Sequence, residues 1–93
     1  MKTLNDKDQK ELFEKLADIE HERWSHWQKY LHTKCIKQSN GDLIIPADYV
    51  KNLERLIATP YKNLTEKEKE SDRYEVKKYF SLIQVFLTLP RMI

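Results

Sequence analysis

Apolar residues recur at helical spacing in three stretches of the chain, separated by one polar break and one proline-marked break. From Asp6 to about His32, Leu12, Phe13, Leu16, Trp24, Trp27 and Leu31 return every three or four positions, which predicts a long first helix. Asn5 or Asp6 suits its N-cap, and Asp8 and Glu11 suit the positive end of its dipole. Thr33 to Asp42 is polar, and Ser39-Asn40-Gly41-Asp42 reads as a turn. Leu43-Ile44-Ile45 leaves room for one short extended segment, and Pro46 suits the first position of a second helix. Tyr49, Val50, Leu53, Leu56 and Ile57 carry that helix to about residue 58, because Thr59 before Pro60 is pushed toward extended geometry. Thr65-Glu66-Lys67-Glu68 has the spacing of a capping box, and a third helix follows to about Thr88. The expectation is a mainly α, three-helix single domain over residues 1–93, with helices at about 6–32, 46–58 and 65–88 and an irregular connector.

Composition narrows the class. In 93 residues, 40% are apolar and 34% charged, with two Trp, five Tyr and three Phe: too aromatic for a disordered chain and too charged for a membrane one. The apolar run from Tyr79 to Pro90 is too short to span a bilayer. No N-terminal stretch has the order of a secretion signal, which sets a cytoplasmic expectation. The lone Cys35 excludes an internal disulfide and a thiolate-rich zinc site. With 17 basic against 15 acidic side chains the net charge is only +2, so neither DNA nor RNA is an expected partner.

The candidate chemistry sits on the two long helices. At about 100° per residue, Leu16, Glu20, Trp24, Trp27 and Leu31 share a face, which places the Glu20 carboxylate inside an apolar stripe. Lys69, Arg73, Val76, Phe80, Ile83 and Leu87 share a stripe on the third helix in the same way. Two accounts fit. In one, Lys69 and Arg73 lay their stems on the core edge and pair with Glu20 or Asp72. In the other, Trp24 and Trp27 offer flat faces and Arg73 and Lys69 offer donors to an anion. The spacing leaves open whether Trp27 faces a pocket or the core. Metal binding is not expected, since His21 and His26 stand about 140° apart on the helix and too few further ligands lie nearby. Cys35 has no His–acid pair around it, and Gly41 alone cannot make a phosphate loop. The end of the third helix is apolar on nearly all sides, so either this helix sits centrally or its end packs against a second chain; the favoured expectation is self-association through Phe80, Ile83, Phe86 and Leu87.

Two blocks together resemble the RyR domain, the small module named after the ryanodine receptor. Glu20-His21-Glu22-Arg23-Trp24 is similar to the family's first-helix signature. Pro60-Tyr61-Lys62-Asn63-Leu64, followed by Thr65 to Asp72-Arg73, is similar to its Pro-aromatic turn, acidic-lysine run and Asp-Arg pair. The chain departs from the family after the first helix, where Trp27 to His32 continues helically without the usual glycine-flanked aromatic. The resemblance implies a binding module rather than an enzyme, with no cofactor. Its ligand would be of nucleotide type: an adenine nucleotide, a cyclic nucleotide or an ADP-ribose-type immune signal. On that resemblance Trp24 would stack on a base beside His21, while Tyr61, Lys69 and Arg73 would line the same cleft and Asp72 would orient Arg73. Base–aromatic stacking is worth about 1–3 kcal/mol. The short chain adds the expectation of a stand-alone sponge that withdraws a nucleotide signal, as an anti-defence phage protein would. The competing reading is a structural or protein–protein interaction module whose working surface is the apolar end of the third helix.

Overall fold

The computed structural model describes residues 4–88, so Leu89 and Pro90 of the apolar run lie outside the described residues. Helix α1 spans Asp6–Lys34, α2 spans Ala47–Ala58 and α3 spans Glu66–Thr88. The mainly α, three-helix expectation is met, with ends within two residues of those read from periodicity. Asn5 caps α1 by accepting from the Asp8 amide at 2.8 Å. The capping box of α3 forms in both directions. Thr65 Oγ1 accepts from the Glu68 amide at 3.2 Å, and Glu68 Oε1 accepts from the Thr65 amide at 3.0 Å.

Two local differences stand out. Pro46 is the N-cap of α2 rather than its first residue; its carbonyl accepts from the Val50 amide at 3.0 Å, and its ring has no group with which to cap the next turn. The connector holds a small hairpin in which β1, Ile36–Lys37, pairs antiparallel with β2, Leu43–Ile44. The turn between them is the one read at Ser39 to Asp42. The Asn40 side chain accepts from the Asp42 amide at 2.9 Å, and Gly41 takes a φ of +95°, a region that side chains disfavour.

Helices α1 and α3 form the main pair and run antiparallel. Glu20 of α1 meets Tyr79 of α3, while Trp27, further along α1, shares a cavity with Asp72, further back on α3. The same register brings Leu16 level with Ile83 and the Leu12–Phe13 turn level with Phe86. Phe86 is the one buried residue among the described residues, at 4% exposure. It therefore cannot belong to the self-association surface expected of Phe80, Ile83, Phe86 and Leu87; within that set, Phe80 and Leu87 are exposed and Ile83 is half-buried. The molecule is a thin slab, 61 × 35 × 16 Å, with α2 lying across one end of the pair.

Candidate functional site

Trp27 stands at the junction of three cavities. The largest, about 570 Å³, lies between all three helices, walled by Trp27, Tyr30 and Leu31 of α1, by Tyr49, Asn52, Leu53 and Leu56 of α2, and by Lys67, Glu68 and Ser71 of α3. A second, about 520 Å³, opens between α1 and α3 beside Glu20, Arg23, Asp72, Glu75 and Tyr79. A third, about 370 Å³, reaches from Trp27 to Thr59, Tyr61 and Leu64. Trp27 is thus a cavity wall with 40% of its surface exposed, which answers the pocket-or-core question left by its spacing. The largest cavity has the size and the mix of aromatic wall and sparse polar groups usual for small-molecule sites.

The wall from α2 is the part that spacing did not assign to a site. Tyr49, Leu53 and Leu56 recur at i, i+4 and i+7, the signature of an amphipathic face. Across from them Trp27, Tyr30 and Leu31 of α1 and Lys67, Glu68 and Ser71 of α3 complete the wall. Arg55 ties α2 to α3 by donating to Glu68 Oε2 at 2.5 Å, and within α2 it also donates to Asn52 Oδ1 at 3.1 Å. Glu68 thus serves Arg55 with one oxygen and the α3 cap with the other. These donors, Arg55 first and the Thr65 amide second, hold its carboxyl at about 2.

The residues singled out from sequence fall into separate groups. Glu20 is paired as its place in an apolar stripe requires: Arg23 chelates it with two guanidinium nitrogens, and Tyr79 donates to it at 2.6 Å. Arg23 first, then Tyr79, lower its pKa, and Glu20 in turn raises that of Tyr79. Glu20 is therefore a fixed anion and a poor proton acceptor.

Trp24 is 56% exposed and stacks on His21, with ring centroids 6.0 Å apart and planes 16° from parallel. Neither residue lines the three cavities around Trp27.

Tyr61, Lys69 and Arg73 do come together. Arg73 Nε donates to Tyr61 Oη at 3.1 Å, and the Lys69 ammonium lies 5.6 Å from the centre of the Tyr61 ring. Asp72 does not orient Arg73, contrary to the adjacency of the pair. The guanidinium instead bonds Glu70 at 2.6 Å and Glu66 at 3.1 Å, and Glu66 also lies 3.7 Å from Lys69. Neighbours on a helix point about 100° apart, so Asp72 faces the Trp27 cavities while Arg73 faces the 3₁₀ turn at Tyr61–Asn63. The two cations are matched by two carboxylates, and an anion at this cluster would have to displace them. Among the described residues, no group of three or more His, Cys, Asp or Glu is placed to hold a metal ion, and no helix is long and apolar enough to cross a membrane.

Comparison of the chain with family models, with curated proteins and with solved structures returns no match.

Proposed function

We propose that the chain is a non-enzymatic binder of a nucleotide-type ligand and that the ligand enters the Trp27 cavity. The observation that carries this is the 570 Å³ space in which Trp27, Tyr30 and Tyr49 supply flat ring surface from two helices. Asn52, Gln28 and Ser71 supply polar groups for base edges, and Lys67 stands at the wall as a cation for a phosphate. Base stacking moves from Trp24, the position that the RyR resemblance suggests, to Trp27. The Tyr61, Lys69 and Arg73 cluster adjoins the site through Tyr61, which lines the neighbouring cavity. Phosphates do not suit the cavity between Glu20, Asp72 and Glu75, where three carboxylates face one guanidinium. A chain that holds such a ligand without transforming it would work as a sponge for a nucleotide signal.

The test is a thermal-shift screen against mononucleotides, cyclic nucleotides and ADP-ribose-type compounds, with calorimetry on each hit. At a hundredfold excess over the dissociation constant, the ligand stabilises the fold by about 2.7 kcal/mol, a rise of roughly 10–20 °C for a domain of this size. Trp27→Ala abolishes the shift and Trp24→Ala retains it. A panel without any shift, or one lost only in Trp24→Ala, overturns the proposal.

A further inference from the structure

We infer that the Trp27 site has two chambers and takes a dinucleotide, with one nucleoside in each. The inference rests on the reading of the largest cavity as a nucleotide site, and it names the class of ligand that fills the space beside it. It begins from shared walls. The 570 Å³ cavity and the 370 Å³ cavity have Trp27, Leu56, Glu68 and Ser71 in common, so they adjoin across side chains drawn from all three helices. Each chamber by itself lies within the roughly 300–1,000 Å³ usual for a small-molecule site. A mononucleotide whose base stacks among Trp27, Tyr30 and Tyr49 leaves the smaller chamber unfilled.

The smaller chamber has the parts that a nucleoside needs. Tyr61 gives it a flat wall of its own, and that ring is fixed in place. Arg73 Nε donates to Tyr61 Oη at 3.1 Å, and the Lys69 ammonium lies 5.6 Å from the ring centre. Neither cation lines the chamber, so both hold the ring from outside and leave its chamber side for stacking. Asp72 supplies an acceptor. Among the described residues it makes no hydrogen bond or ion pair, whereas the other carboxylate of the chamber, Glu68, is taken up by Arg55 and by the α3 cap. A carboxylate with free lone pairs beside an aromatic wall suits the hydroxyls of a ribose, as it does in dinucleotide-binding α/β folds.

Charge places the linkage. Asp72 and Glu68 disfavour a phosphate in the smaller chamber, and Lys67 lines only the larger one. The phosphate therefore belongs at the Lys67 end, with the Ser71 hydroxyl, common to both chambers, as a further donor. The nucleoside beyond it carries no phosphate of its own. This is the layout of a dinucleoside monophosphate: base and phosphate in the larger chamber, and in the smaller one a ribonucleoside whose 2′ and 3′ hydroxyls are free.

The test is calorimetry of the full chain with the four ribonucleoside 5′-monophosphates and the four 3′,5′-linked homodinucleotides. At least one homodinucleotide is expected to bind roughly 5–150-fold more tightly than its own mononucleotide, the effect of one further stacked base. Tyr61→Ala is expected to cut that ratio about tenfold. Ile57→Ala, altered where α2 is 78% exposed, is expected to retain it. The deoxyribose form of the same dinucleotide binds wild type more weakly than the ribose form, and the difference shrinks in Asp72→Ala; an equal difference in both overturns the ribose assignment. Mononucleotides that bind as tightly as their dinucleotides overturn the inference and leave the nucleotide reading of the largest cavity standing, whereas a panel in which nothing binds overturns both. An undiminished ratio in Tyr61→Ala also overturns the second chamber. Should Tyr61→Ala lose its helical dichroism, Tyr61→Leu, which keeps apolar bulk without a flat face, decides by the same ratio.

Discussion

Phe86 concentrates in one side chain what a larger domain spreads over many, so its truncation gives a stringent test of the packing described above. At 4% exposure it is the one buried residue among the described residues. An aromatic side chain withdraws roughly 150–250 Å² from water, which at roughly 25 cal/mol per Å² gives about 4–6 kcal/mol as an upper limit. Alanine keeps part of that area, so Phe86→Ala is expected to cost about 3–4 kcal/mol, within the range of Phe→Ala changes in closed cores. A chain of this length has roughly 5–14 kcal/mol of total stability, so the loss is a large share of it. The melting temperature, followed at the helical dichroism band at fixed chain concentration, should fall by more than about 12 °C. Ile57→Ala is the matched control, since Ile57 is 78% exposed on α2 and should change stability by less than about 0.5 kcal/mol. A Phe86→Ala melt within a few degrees of wild type, or an equal loss in Ile57→Ala, would refute the argument that α1 and α3 close around this ring.

Two further outcomes follow from local geometry. The Glu68 carboxyl sits at about 2 in the folded chain against an ordinary 4.5, so the unfolded chain binds the extra proton between those values. Its contribution to stability is whole above pH 4.5, falls as pH drops toward 2, and disappears from the pH profile of Glu68→Gln. Denaturant midpoints measured across that window should steepen with acid in the wild type more than in the variant. Gly41→Ala should cost about 1–2 kcal/mol through backbone strain alone, because a φ of +95° disfavours any side chain and nothing lies within 4 Å of the added methyl. Urea unfolding of Gly41→Ala checks this, and a neutral change would mean that the hairpin turn is not held in that conformation.

The long helices were legible because their information is local. Periodic apolar residues, an Asn cap and a Thr–Glu box each act within a turn or two, and all three appear where spacing put them. The hairpin was only half legible: Gly41 marked its turn, but β1 is two residues long, too short for alternation to register. At the site, the pairing of Glu20 followed from its place in an apolar stripe, although its partners, Arg23 and Tyr79, did not. The Asp72–Arg73 adjacency pointed the wrong way, because helix geometry sends consecutive side chains to different neighbours. The cavity itself was illegible for a different reason. Tyr49, Leu53 and Leu56 look the same in sequence whether their helix closes on a core or walls a cavity, and the structure places them at the cavity.

The two oxygens of Glu68 have a kinetic consequence. One seals the first turn of α3 and the other anchors α2, so neither event reaches its full strength until a single carboxylate is in place. The α2 anchor and the α3 cap therefore share one carboxylate, and both elements line the Trp27 cavity. Glu68→Gln is therefore expected to weaken both contacts at once, and hydrogen exchange of the α2 amides and of the first turn of α3 should rise together in that variant.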